Sequence, residues 1–172
     1  MDLRLTDKAV LITGSSRGIG LATAKAFAAE GCRVMLSGHS TEQLREAETT
    51  LRATGAEVTA HAGDVGNPDQ ASRLIEAIVA AYGGIDILVN NVGGGGGGAR
   101  IADSSDDDWR GALERNLIQI VRMMRLALPH MREAVLLCGA RRRHRALNRR
   151  PEAAHAIEIT PAYVVPLPLN GS

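Results

Sequence analysis

The sequence predicts an α/β chain built on a doubly wound parallel sheet, and three observations carry that prediction. Short apolar runs alternate with amphipathic helical stretches through residue 91, the pattern of strands covered by helices. A glycine-rich turn over residues 13–20 directly follows the first apolar run and opens the first helix. Capping residues mark the starts and stops of the helices.

The elements follow in order. Residues 9–13 read as a buried first strand, and a helix then runs through Glu30, with Gly31 supplying the left-handed stop. Residues 33–37 are a second strand. Ser40 starts the next helix, with Gln43 three residues on as the partner in a capping box. That helix stops at Gly55, and residues 57–62 form a third strand. Asn67 as N-cap, Pro68 at the first helical position and Gln70 at the third open a helix that runs to Tyr82 and stops at Gly83-Gly84. Residues 85–90 are the fourth strand. Ser105 caps a long helix whose first turn, Asp106, Asp107 and Asp108, suits the positive end of the helix dipole. Along it Trp109, Leu113, Leu117, Ile120, Met124 and Leu128 recur at helical spacing and are expected to face the core.

Bulk properties narrow the class. A chain of 172 residues with 45% hydrophobic and 23% charged residues suits one globular domain with a sizeable core. Aromatics make up only 2%, so that core is aliphatic. No apolar run approaches the ~20 residues that cross a bilayer, and residues 1–4 show no signal-peptide pattern. Cys32 and Cys138 stand alone without metal-ligand spacing. No metal site is expected, and a reducing cytoplasm fits these features.

Right-handed strand–helix–strand units align the C-terminal strand ends along one edge, where such sheets bind ligands. The chemistry is therefore sought just after each strand. After the first lies Thr13-Gly14-Ser15-Ser16-Arg17-Gly18-Ile19-Gly20. Glycines there let backbone approach a pyrophosphate closely, and the helix N-terminus beyond offers N–H donors to it. After the second strand stands Gly38, where an NAD-binding sheet usually carries a carboxylate for the ribose hydroxyl. With no acid there to repel a 2′-phosphate, and with Arg17, His39 and Ser40 nearby, NADP is favoured over NAD. The run from Gly93 to Gly98 reads either as a floppy connector or as a loop closing near the nicotinamide.

The spacing Thr-Gly-x-x-x-Gly-x-Gly resembles the short-chain dehydrogenase/reductase family, and three further motifs agree with it. Asp64-Val65 follows the third strand, where the family's Asp meets the adenine edge. Asn90-Asn91-Val92-Gly93 resembles the family's Asn-Asn-Ala-Gly, and Asn116 stands at the position of its structural and catalytic Asn. The resemblance covers about residues 5–131 and is nearest to the 3-oxoacyl-carrier-protein reductase-like members. It implies a Rossmann-type sheet over residues 1–133. It also implies cofactor binding by Gly14, Ser15, Ser16, Arg17, Gly18, Ile19, Gly20, His39, Asp64, Val65, Asn91 and Gly93, a catalytic role for Asn116, and carbonyl or alcohol substrates.

The resemblance fails further on. The family draws its proton from a Tyr with a Lys four residues later, and orients the substrate with a Ser after the fifth strand. Here no Lys follows Lys25, the last Tyr is Tyr163 with Leu167 four residues on, and no Ser lies between Ser105 and Ser172. Residues 134–138 offer a fifth strand. The segment 134–172 is otherwise expected to be an irregular tail, with six Arg in residues 141–150 and no helical or strand period. Two functional readings follow: an NADP-dependent oxidoreductase of impaired activity, or an inert dinucleotide-binding fragment from a truncated or frameshifted gene. Nucleic-acid binding by the basic tail is disfavoured, because aromatics for base stacking are scarce. Any homo-oligomer is expected to be weakened.

Overall fold

A computed structural model describes residues 4–94 and 101–138 of the chain. Five strands, β1 (Ala9–Ile12), β2 (Arg33–Gly38), β3 (Val58–Ala62), β4 (Ile85–Asn90) and β5 (Met131–Cys138), form one sheet in the order β3-β2-β1-β4-β5. Every pairing is parallel. The order reverses at β1, which pairs with β2 on one side and β4 on the other. The fifth strand begins at Met131 rather than at residue 134. The glycines at 95–98 and the tail beyond residue 138 lie outside the described residues.

Strand alternation sends side chains to two cores. Ala9 and Leu11 of β1 join Ile78 and Ile75 of α3 (Pro68–Tyr82) and Met123 and Met124 further along the chain. Val10 and Ile12 point the opposite way, onto Ala24 of α1 (Gly18–Ala29) and Leu44, Ala47 and Leu51 of α2 (Thr41–Arg52). Both faces of the sheet are thus covered, which is why β1 reads as a continuous apolar run rather than an alternating one. Fully burying Leu11, Leu36, Ile78 and Leu88 contributes about 1.5–3 kcal/mol for each side chain.

The helix boundaries follow their caps. Gly31 sits at φ +77° just past α1. Asn67 accepts from the N–H groups of Asp69 and Gln70. The capping box expected of Ser40 is only half present: Ser40 Oγ accepts from Gln43 N at 3.3 Å, while the Gln43 carbonyl accepts from Ser16 Oγ. Gln70 is diverted in the same way, its Oε1 accepting from Asp64 N at 2.7 Å. A complete box stands instead at Ser105, where Asp108 returns the bond.

The long helix after Ser105 is not continuous. It consists of α4 (Asp106–Leu113), a π-helical turn over Glu114–Ile118, and α5 (Gln119–Ala127). The expectation that its apolar stripe faces the core is corrected accordingly. Met124 is buried and Ile120 packs on the core, but Trp109 and Leu113 are 52% and 50% exposed, and Leu117 is exposed as well. A π turn carries extra residues and shifts the helical phase. Trp109 and Leu113, before the turn, and Leu117, within it, therefore leave the face that α5 lays against the sheet.

Cys32 is buried at the start of β2, and burial pushes its thiol up to about 11. Because the thiolate is the reactive form, iodoacetamide at pH 8 is expected to leave Cys32 unmodified in the folded protein and to label it after unfolding. Peptide mapping reads the result. Equal labelling in both states would contradict the burial.

Candidate dinucleotide-binding site

The candidate site grows from the C-terminal ends of β1, β2, β3 and β4. Thr13, the first residue past β1, is 1% exposed and fastens two strand ends together. Its Oγ1 accepts from the N–H groups of Asn91 at 2.9 Å and Val92 at 3.2 Å, and donates to the carbonyl of Val89. Asn91 answers with its side-chain amide, which donates to the carbonyls of Thr13 and Gly14 at 3.1 Å each. Asn91 thus holds the loop from behind.

Within the loop, Gly14 takes φ +64°, and a Cβ there would lie 2.9 Å from Val92 Cγ2. Ser15 is fully buried: its Oγ donates to Ile12 O and accepts from Ser37 N, and its own N–H donates to Ser37 O. These bonds give Ser15 the work of shaping the turn. Ser16 Oγ reaches Gln43. Arg17 is the extended N-cap residue of α1 and is exposed, with no side-chain cap hydrogen bond. Gly18, at φ +58°, has open space where a Cβ would be, and Ile19 is 77% exposed. Gly20 is the tightest point, since a Cβ there would fall 2.2 Å from Gly14 O.

The first N–H groups of α1, on Gly18, Ile19 and Gly20, have no carbonyl one turn back within the helix. Those donors, the positive helix end and an open approach over Gly18 match what a pyrophosphate needs. The residues present fit the phosphate part of a dinucleotide.

On one flank, the turn after β3 is closed by Asp64 Oδ1 accepting from Gly66 N at 2.8 Å. His39, exposed after β2, brings Nε2 to 4.0 Å from that same oxygen. Val65 is buried in the core, so its side chain anchors the turn. Gly38 is packed against Ser16: a Cβ there would meet Ser16 Oγ at 3.3 Å. On the other flank, Asn116 in the π turn accepts from Gly94 N and donates to Gly94 O, both at 3.0 Å. It also donates to Ala112 O at 2.9 Å. Gly93 is exposed between Val92 and this clamped Gly94.

Sequence reasoning missed two members of this arrangement. Gln119, 4% exposed, donates to Val92 O and to Arg115 O. A polar residue inside an apolar helix face was the available signal. Arg122 donates to the carbonyls of Val65 and Gly66 and pairs with Glu114; no local pattern announces such a bond. Tyr82 is buried far from this edge, with its hydroxyl donating to Val34 O near the start of β2. Burial raises its pKa, and its hydroxyl is held at the opposite end of β2 from the candidate site. Among the described residues no His/Cys/Asp/Glu cluster suits a metal ion. Likewise, no helix among them is long and apolar enough to cross a membrane.

A parallel sheet whose order reverses at a strand feeding a glycine turn into a helix N-terminus defines a Rossmann-type α/β protein. A model of the short chain dehydrogenase family matches residues 8–135, and the chain belongs to that family. It is 41% identical over 131 residues to the uncharacterized oxidoreductase YvrD of Bacillus subtilis (strain 168), covering 76% of this chain and 49% of the relative. Among solved structures it is similar to the L-sorbose reductase of Gluconobacter frateurii complexed with NADPH and L-sorbose. That likeness has a TM-score of 0.72 at 38% identity, covering 77% of this chain and 50% of the other. It is similar also to the NADH-dependent reductase A1-R′ complexed with NAD, with a TM-score of 0.75 at 29% identity, covering 81% and 61%. The chain spans about half the length of the curated relatives it matches.

Proposed function

We propose that the chain binds NADP through residues 13–20 and its two flanks, as the cofactor-holding part of an oxidoreductase acting on a carbonyl or alcohol. The observation that carries this reading is the open helix N-terminus at Gly18, Ile19 and Gly20, held in place by the Thr13–Asn91 bonds. A bound nicotinamide would supply the hydride. The chain's own residues would hold the cofactor: the loop N–H groups take the pyrophosphate, Asp64 faces the adenine, and Asn116 fixes the strap at Gly94.

NADP is favoured over NAD because Gly38 presents no carboxylate to repel a 2′-phosphate, while Arg17 and His39 are exposed and can offer it charge and hydrogen bonds. An NADPH complex is described for the L-sorbose reductase. Turnover is expected to be impaired, since the sequence beyond β4 contains no Tyr followed four residues later by Lys. That missing pair also favours the second reading, an inert binding fragment.

Calorimetric titration of the full chain with NADPH and NADH tests the proposal, with a panel of carbonyl substrates added to the same samples. NADPH is expected to bind at least roughly tenfold more tightly than NADH, the scale of one charge-assisted bond. No oxidation of NADPH above background is expected. Absence of binding would refute the cofactor reading, and turnover at ordinary enzyme rates would refute the impairment.

A further inference from the structure

Arg122 has a position that none of the site's known parts explains. It lies on α5, and its side chain is only 16% exposed. One nitrogen, Nη1, donates to Gly66 O at 2.8 Å and to Val65 O at 3.3 Å. The other, Nη2, pairs with Glu114 Oε1 at 2.7 Å. Glu114 opens the π turn that carries Asn116. A single guanidinium therefore joins the turn after β3 to the segment holding the Gly94 strap.

The peptide at Gly66 is held from two sides. Its carbonyl is pulled by Arg122, while the following turn geometry leaves its own N–H donating to Asp64 Oδ1 at 2.8 Å. A Cβ at Gly66 would lie 3.0 Å from that same carboxylate oxygen, so the fit is close. Further along, Asn67 N donates to Asp64 O, and Asp64 N donates to Gln70. Backbone on both sides of Asp64 is thereby fixed, and its carboxylate orientation depends on where Gly66 sits. A largely buried guanidinium with three acceptors is a strong, directional restraint of this kind.

We infer that Arg122 is a positioning residue for the adenine end of the dinucleotide. It acts through Gly66 to orient Asp64, and through Glu114 it ties that end to the Asn116 segment. This inference rests on the dinucleotide reading above. Arg122 touches no reacting group in this arrangement. Its effect on a ligand therefore passes through Asp64.

The experiment is a double-mutant cycle in the full chain, reading the affinity for 2′,5′-ADP, which carries the adenine half of NADP without its nicotinamide. R122M is expected to weaken binding roughly tenfold, the loss of about one charged hydrogen bond. In a D64A background the same R122M change is expected to cost less than about twofold, because the group it orients is gone. A purely structural role for Arg122 would give the same loss in both backgrounds, and that additivity would overturn the inference. So would unchanged affinity in R122M. Should R122M fail to fold, R122K keeps the charge beside Glu114 but loses the fork. It is expected to melt near the parent and bind with intermediate affinity, whereas parental affinity in R122K would overturn the inference. Failure of the unmodified chain to bind 2′,5′-ADP would instead refute the dinucleotide reading, and this inference with it.

Discussion

Gly20→Ala is expected to lower stability by about 3 kcal/mol, the upper range for forcing a group into a filled space, and to remove measurable NADPH binding. The sign is the informative part. Gly20 lies inside α1, where alanine is ordinarily better than glycine by about 1 kcal/mol. Here the new Cβ would stand 2.2 Å from Gly14 O and 2.7 Å from Asn91 Nδ2. One neighbour is backbone and the other is already donating to Thr13 and Gly14. Neither gives way without opening the loop. Urea unfolding together with coenzyme titration checks both consequences, and a G20A protein as stable as the parent would show that the loop relaxes freely.

Thr13→Val carries the second large effect and separates hydrogen bonding from shape. Valine nearly matches threonine in volume, so no cavity forms. The N–H groups of Asn91 and Val92 lose their common acceptor, and an unsatisfied buried donor costs about 1–3 kcal/mol. A loss of about 2 kcal/mol is expected, because both groups are only partly buried and water recovers some of the bonding. Thr13→Ser, which keeps the oxygen, is expected to recover most of it. Equal stability of T13V and the parent in denaturant titration would mean that the clamp contributes nothing.

Much of the fold was legible because its signals are local. The glycine at 31, the Asn67-Pro68 pair and the strand at 85–90 each read correctly, since a cap or a strand depends on a few neighbouring residues. The glycine turn was legible for the same reason. The failures share a different cause. Ser40 with Gln43 has the spacing of a capping box, but Ser16, brought alongside by the sheet, takes the Gln43 carbonyl. Trp109, Leu113 and Leu117 have helical spacing, but spacing cannot say what covers a face, and the π turn moves them off the core. Arg122 grips carbonyls more than fifty residues away, so nothing near it in sequence marks the bond.

The sheet order also sets a timetable for synthesis. β1's neighbour β2 is the next strand made, with Ala9 opposite Arg33, but its other neighbour arrives only with Ile87 opposite Val10. Thr13 and Asn91, whose bonds complete the loop, are 78 residues apart. At 5–20 residues per second a ribosome needs on the order of 4–16 seconds to cover that interval. Throughout it the glycine turn is already made but lacks the strand that holds it. A nascent chain carrying β1, β2 and β3 therefore has the sequence of the glycine turn without the bonds that give it its shape until Asn91 emerges.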